Sequence, residues 1–583
     1  MGVTVDRRSD RDFDGNARET GTIEVMTEVE AWLADAKCSP LVQRLVPGAD
    51  SNERRRLAAL GGLVRCLLDD IPGDWPEALR IWAEQGPMPP ADVIHDARTL
   101  MDGNGDWFAT VYEHIVAGPN RRRLGTFFTP PSVVDLMLER ASVVLPTPTT
   151  IVDPGAGVGA FSVAAAQRWP EAKVQAVDVN VVTLGLLAAR LRSRGQSSRV
   201  ELILEDFIAW VQGAGSVGGG RLFLGNPPYT RHQELTRATK NRALKATSDL
   251  VESGLSGLAA YFLGASIAHL ADDDALCFVL PGSWTEARHG AGLRRWMWES
   301  VKRPIELLAF PPDVEIFPGT RVNAVVATIG PTTTTEAALS AGHISTGQHL
   351  TIKAKPIDRH GDPPSSFGPL FWPTQGGDHA DTVALSTLGR VRRGVATGAN
   401  HFFFLTDDEA KSIPNRLLRP GIRRLRELDG EVLDQSAHDT LGQSGRRRWL
   451  LTLSGPKDIK AKAVRSLVDS GEAEGYHDRY LTRIRKHWYV VEPADAPHII
   501  VSLMSKDGFR SVLNPLGAIP SNSMYGIHLD DPSVAAELCT WLNSTAGQKA
   551  IQSRARHYSD GLLKLEPRDY MAVQIPAAFR PAK

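Results

Sequence analysis

Between residues 150 and 330 the chain repeats one pattern: a short apolar run, a turn, then a helical segment. The runs are TIVDPG, KVQAVDV, VELILEDF, RLFLGN, ALCFVLPG, IELLAF and NAVVATI. Strands alternating with helices in this way form an α/β sheet. Open sheets of that kind bind ligands outside the carboxyl ends of their strands, where the chain order reverses. The residues that follow each run are therefore the ones to read for chemistry.

The first run ends in Asp153 and opens into Gly155, Gly157 and Gly159, then Ala160-Phe161. Glycines allow a tight turn and a close backbone approach to a ligand. A GxGxG turn alone is shared by many nucleotide-binding sheets, and the dinucleotide fingerprint GxGxxG is not what stands here. The second run ends in Asp178, the place where an acid binds a ribose diol. The third ends in Glu205-Asp206-Phe207, an acid beside an aromatic ring, which suits an adenine: Asp206 accepts from the exocyclic amine and Phe207 covers the ring. The fourth ends in Asn226-Pro227-Pro228-Tyr229. Two prolines remove two backbone donors and stiffen the loop, so an amide and an aromatic ring are held at a strand end. Any one of these motifs could be a structural turn, but four in succession point to one site.

Ahead of the sheet, residues 1–20 are charged and read as a loose terminus, and residues 22–118 carry helical periodicity in segments such as IEVMTEVEAWLADA and ERRRLAALGGLVRCLLDD. A helix is expected to open at Thr129-Pro130-Pro131, with the threonine hydroxyl as cap. After the sheet, GPTTTTE (330–336) reads as an exit linker and residues 331–384 as a connecting segment. From 385 onward short strands and loops mix with basic and aromatic residues: Arg390, Arg392 and Arg393, then Arg446, Arg447, Arg448 and Trp449, then RYLTRIRKHWY with Arg483. From residue 380 to the end there are 29 Lys and Arg against 23 Asp and Glu, while the whole chain has a formal net charge of −1. A basic C-terminal part on a near-neutral chain points to a polyanionic partner.

Taken together, these motifs resemble the S-adenosylmethionine-dependent amino-methyltransferases, and among them the TaqI-like adenine-N6 DNA methyltransferases of the gamma order. In that order a GTFFTP segment precedes the glycine turn, the NPPY loop follows, and a recognition domain is C-terminal. The likeness is strongest over residues 105–330. It continues more weakly through RRGVATGANHFFFL, NPLGAIPSNSMYGI, WLNSTAG and HYSDGLLKLEPRDYMAVQIP. The resemblance implies an α/β, Rossmann-like catalytic domain over 119–330, an N-terminal helical region over 1–118, and an α+β target-recognition domain over 385–583. It implies S-adenosylmethionine as cofactor, held by Thr129, Asp153, Gly155, Gly157, Gly159, Phe161, Asp178, Asp206 and Phe207. It also implies that Asn226 and the Pro227 carbonyl accept the two amine hydrogens of a flipped adenine, with Pro228 stiffening the loop. Tyr229 then stacks on the base, and Phe317, in EIFPGTRVNAVVATI, closes its other side. Double-stranded DNA is the implied partner, with Arg231, Arg321, Arg446, Arg447, Arg448 and Arg483 as contacts.

NPPY also occurs in protein-glutamine and some RNA methyltransferases, which are usually shorter and lack a large basic C-terminal domain. Residues 1–118 contain no PD…(D/E)xK nuclease core, so the resemblance implies a methyltransferase working beside a separately encoded restriction endonuclease. Cys38, Cys66, Cys277 and Cys539 are widely spaced, which argues against a zinc site or a disulfide framework. No metal is expected. Nor is a secretory or membrane-spanning segment, so the expected setting is a cytoplasmic monomer that joins the nucleoid when bound to DNA.

Overall fold

A computed structural model describes Trp32 and residues 51–68, 72, 75–102, 107–116, 128–213, 219–252, 254–311, 314–317, 323–346, 350–372, 382–492, 494–557 and 562–580. Residues 1–20, most of 22–50, Cys38, the GTF of GTFFTP and Arg321 lie outside that set. The chain divides into two compact units, residues 1–372 and 373–583.

Unit 1 is built on a nine-stranded sheet. Its strands are β1 (Thr150–Pro154), β2 (Lys173–Asp178), β3 (Val200–Leu204), β4 (Arg221–Gly225), β5 (Ala275–Pro281), β6 (Ile305–Ala309), β7 (Ala324–Ile329), β8 (Leu339–Ser345) and β9 (Thr351–Ile357). The first seven coincide with the seven apolar runs. The order across the sheet is β3-β2-β1-β4-β5-β7-β6-β8-β9. Strands β1 to β5 are parallel, and β7 runs antiparallel to both β5 and β6. The order reverses between β1 and β4, so a crevice opens at their carboxyl ends.

Helices cover both faces. Alternate strand residues turn to opposite sides: Ile151, Leu222, Leu224 and Cys277 enter one core, Val152, Phe223, Leu276 and Phe278 the other. The first core is closed by α1 (Ser51–Leu68), α2 (Glu77–Gln85), α3 (Ala91–Asp102), α4 (Trp107–Ile115), α5 (Pro131–Val144), α6 (Ala160–Arg168) and α7 (Val181–Ser193). The second is closed by α8 (Phe207–Gly213), α9 (Arg237–Ala246), α10 (Leu258–Ala268) and α11 (Ala291–Glu299). The N-terminal helices thus share a core with the sheet. Trp82 of α2 donates Nε1–H to the Leu57 carbonyl at 3.0 Å, and its ring lies where a Cβ on Gly185 of α7 would be, 2.1 Å away.

Two expectations change here. Residues 331–372 are not a free connection: β8 pairs with β6, and β9 with β8, so they extend the nine-stranded sheet. GPTTTTE is strapped down as well, with Thr332 N donating to Asp272 O at 2.6 Å and Thr333 N to Lys302 O at 2.7 Å. The alternating small and polar residues of LSAGHIS and the charged TIKAKPI hide these strands from a search for apolar runs.

Unit 2 is α+β, as expected. Gly389–Arg393, Met524–Leu529, Ile499–Ser502 and Ser511–Leu513 form one four-stranded sheet, and Phe404–Leu405, Trp449–Leu451, Leu418–Ile422 and Ile519–Pro520 another. Helices Ala535–Asn543 and Thr545–Gln552 pack on the first, and Lys462–Ala473 on the second.

Candidate active site

The glycine turn after β1 has three left-handed residues, Gly155 (φ 76°), Gly157 (φ 56°) and Gly159 (φ 82°), a region that side-chain-bearing residues rarely adopt. Gly155 N donates to the Val177 carbonyl at 2.8 Å, which fastens the turn to the end of β2. Gly157 N donates to Asp178 Oδ2 at 2.8 Å, and Asn180 N to Asp178 Oδ1 at 2.8 Å. The carboxylate at the end of β2 is therefore held by backbone amides on both oxygens. Gly159 serves packing: a Cβ there would stand 2.1 Å from Leu187 Cδ1.

Above this turn is a cavity of about 270 Å³. Gly155, Gly157 and Phe161 line it from the first strand end, Asp178 and Asn180 from the second, Asp206 and Phe207 from the third, Asn226 and Pro228 from the fourth. The four sequence motifs converge on one site. Phe128 and Thr129 close one side, and Thr239, Leu258 and Phe262 another. The last three were not legible in sequence, because α9 and α10 carry no motif. Phe207 is buried and packs at 4.9 Å on Phe262, making the apolar end of the cavity. Asp206 caps α8 with its side chain, accepting from Ile208 N at 2.9 Å, and Arg242 stands 3.7 Å away.

Asp153 and Gly159 depart from the expected cofactor contacts, since neither lines the cavity. Asp153 is 1% exposed and accepts from Ser162 N at 2.9 Å and from Ser162 Oγ at 2.6 Å, fixing the start of α6. Burial pushes its carboxyl up to about 7, and the nearby Asp178 acts in the same direction. The folded protein thus holds this proton more tightly than the unfolded chain, whose aspartates titrate near 4. Folding stability from Asp153 is complete below about pH 4 and falls as the pH rises to about 7. Asp153→Asn keeps an acceptor for Ser162 and is expected to remove that fall. Urea unfolding at pH 5 and pH 8 measures it, and an equal loss in wild type and variant contradicts the assignment.

Thr129 also differs from expectation. It does not cap α5; the capping position is Pro130, with Pro131 in the first turn. The Thr129 hydroxyl instead accepts from Asn226 Nδ2 at 3.1 Å, joining GTFFTP to the NPPY loop. Pro228 Cδ lies 3.2 Å from where a Cβ on Gly155 would stand, so the same loop rests directly on the glycine turn. Tyr229 and Phe317 were expected on opposite faces of a base. Here the two rings meet edge to face, 5.6 Å between centroids, and Phe317 is 1% exposed. A base enters between them only if they part. Arg231 is exposed beside the loop.

A further link reaches the cavity from the N-terminal helices. Asn180 caps α7 through Val182 N at 3.0 Å and donates Nδ2–H to the buried Tyr112 hydroxyl at 2.9 Å. The Tyr112 ring packs edge-on against Phe128 at 6.0 Å. Tyr112 of α4 therefore touches two residues of the cavity wall from outside it.

In unit 2 the three consecutive arginines separate. Arg446 is exposed. Arg447 forms a two-pronged pair with Glu409 at 2.6 and 2.8 Å, and Arg448 bonds Asp407 at 2.7 Å and Asp439 at 2.8 Å. Their side chains are 14% and 11% exposed. These two guanidiniums are engaged by half-exposed carboxylates of the same unit and are not the free surface cations that the sequence pattern suggests; Arg483 is exposed.

The fold is that of a Rossmann-like domain, with its cavity at the carboxyl ends of the strands. The chain is a relative of the type II restriction–modification methyltransferases. Residues 207–317 match the Eco57I restriction-modification methylase family, residues 376–583 the C-terminal domain of type II methyltransferase M.Eco57I, and residues 135–259 the methyltransferase small domain. Type II methyltransferase M.XamI of Xanthomonas campestris pv. amaranthicola is 26% identical over 502 residues, 84% of this chain and 89% of that protein. Type II methyltransferase M.AccI of Acinetobacter calcoaceticus is 21% identical over 484 residues, 79% of this chain and 86% of that protein. In fold the chain is similar to the Type IIL restriction-modification enzyme MmeI, solved in complex with DNA, with a TM-score of 0.53 and 14% identity over 95% of this chain and 84% of that one. Among the described residues no helix is long and apolar enough to cross a membrane.

Proposed function

We propose that the protein transfers a methyl group from S-adenosylmethionine to N6 of an adenine flipped out of a specific double-stranded DNA site, as the modification enzyme of a restriction–modification system. The observation that carries this reading is the Asn226–Tyr229 loop seated on the glycine turn, with Asn226 and Pro228 forming one wall of the cavity. The gamma order of the motifs and the basic unit 2 support an adenine in DNA as the target.

The cavity suits S-adenosylmethionine chemically. Asp178 offers a carboxylate to the ribose diol, and Asp206 an acceptor to the adenine amine. Phe207, Leu258 and Phe262 offer an apolar bed, and the glycine turn and Thr129 line the remaining walls. When bound, the sulfonium supplies an electrophilic methyl group. The exocyclic amine of the target adenine is a weak nucleophile, because its lone pair is delocalised into the ring. The Asn226 side-chain oxygen and the Pro227 carbonyl accept its two hydrogens and draw the nitrogen toward tetrahedral geometry, freeing the lone pair. Donation of Asn226 Nδ2 to Thr129 fixes which end of the amide is offered. The nitrogen lone pair forms the new N–C bond as the bond from the methyl carbon to sulfur breaks, the neutral thioether leaves with that electron pair, and the proton lost from the methylated nitrogen passes to water; preorganised acceptors and positioning lower the barrier without a carboxylate base. Extrusion costs a few kcal/mol, and stacking on Tyr229 returns about 1–3 kcal/mol.

The test is methyl incorporation into matched DNA and RNA supplied in competition: label in DNA adenine supports the reading, and label in RNA or protein contradicts it. Tyr112→Phe probes the positioning of the cavity wall. Loss of one hydroxyl acceptor is expected to raise KM for S-adenosylmethionine about 3- to 10-fold, with kcat unchanged and the unliganded Tm lowered by no more than a few degrees. A lowered Tm with unchanged KM would make Tyr112 a packing residue only.

A further inference from the structure

In unit 2, residues 479–486 form a turn that shows solvent the two most exposed large apolar side chains described there. Tyr480 is 71% exposed and Ile484 65%. Tyr480–Arg483 is a single helical turn and Ile484 keeps helical backbone angles, so residues 480 and 484 share a face. Exposed cations surround them: Arg479, Arg483 and Lys486. The exposed acid next to the turn, Asp478, is engaged with His477 at 3.3 Å.

The backbone under these side chains is pinned. Thr482 is fully buried and donates Oγ1–H within the turn, to Tyr476 O at 2.5 Å and Arg479 O at 2.9 Å. Arg485 points inward, donating to Ala396 O at 2.6 Å and lying 5.7 Å from the Phe403 ring centre. Gly398 (φ 78°) lets the 394–400 loop come close enough that a Cβ there would be 2.9 Å from Leu481 Cβ. Thr482 and Arg485 hold the turn from below while Tyr480, Arg483, Ile484 and Lys486 face outward. Single exposed apolar residues are ordinary. A same-face apolar pair framed by three cations on a pinned turn is different, because a preordered surface loses little entropy on binding and the charges select a polyanion.

We propose that this turn enters a groove of duplex DNA, with Arg479, Arg483 and Lys486 on the phosphates and Tyr480 and Ile484 in apolar contact with the sugar and base edges between them. Apolar side chains placed in this way are a recurrent means of gripping or wedging base steps. The inference rests on the reading of the protein as a DNA methyltransferase, and it names a part of unit 2 that reads the duplex.

The test uses the full chain and a short duplex carrying the motif that the protein methylates, followed by fluorescence anisotropy over a series of salt concentrations. Tyr480→Ser with Ile484→Ser is expected to weaken binding about tenfold or more, with the slope of affinity against salt unchanged. Arg483→Gln with Lys486→Gln is expected to flatten that slope by about 1 per lost phosphate contact. Both pairs are exposed, so Tm and S-adenosylmethionine affinity should match wild type. A serine pair that binds as tightly as wild type, in a chain that still methylates DNA, overturns this proposal and leaves the enzymatic reading standing. A wild-type chain that neither binds nor methylates DNA overturns both. A concentration-dependent dimer that the serine pair abolishes would assign the surface to a second copy of the chain and overturn the DNA contact.

Discussion

Asn226→Ala is expected to lower methyl transfer about 10²- to 10³-fold, the scale set by removing one preorganised polar group from a reacting centre, while S-adenosylmethionine affinity stays within about threefold. The two effects separate because Asn226 occupies the border of the cavity. In the proposed reaction its oxygen accepts from the incoming amine, and its Nδ2 donates to Thr129 Oγ1 at 3.1 Å. The alanine variant forfeits that neutral hydrogen bond but leaves Asp178, Asp206 and the glycine turn in place. Single-turnover rates and calorimetric cofactor binding on the same preparation measure both quantities. Loss of both would make Asn226 a cofactor contact and sink its role at the amine.

Asp178→Ala should do the reverse. The carboxylate is held on both oxygens by Gly157 N and Asn180 N, each at 2.8 Å, so it is a fixed acceptor at the cavity wall. Hydrogen bonds to a charged group contribute about 1.5–3 kcal/mol each. Removing it is expected to weaken cofactor binding about 10- to 100-fold, with much of kcat recovered at saturating cofactor. The glycine turn loses an anchor as well, so the variant also loses some thermal stability. Unchanged cofactor affinity would count against a ribose contact.

Strand existence in unit 1 was legible because β1 to β7 are short apolar runs that stand apart from the helices around them. Their carboxyl-end motifs were legible for a related reason: chemistry at a strand end needs particular residue types in a particular order. What lay outside that reading was made by partners distant in sequence. The Thr129 hydroxyl reads as a helix cap until Asn226 is found beside it. Asp153 reads as a ligand until its two bonds to Ser162 are seen. Arg446, Arg447 and Arg448 read as one basic patch, but the second and third meet Glu409, Asp407 and Asp439, which lie outside that run. β8 and β9 are polar enough to pass for a connection, and sheet pairing alone reveals them. Tyr112 sits in a helical segment without any motif, and only the fold brings it to Asn180.

The most direct test of the central claim is to express the chain in cells that lack adenine methylation and to read their DNA by single-molecule sequencing that detects N6-methyladenine. The account predicts methylation of adenine at one sequence motif, lost in the Asn226→Ala strain. Soluble, cofactor-binding protein that leaves the adenines of that DNA unmodified would contradict it.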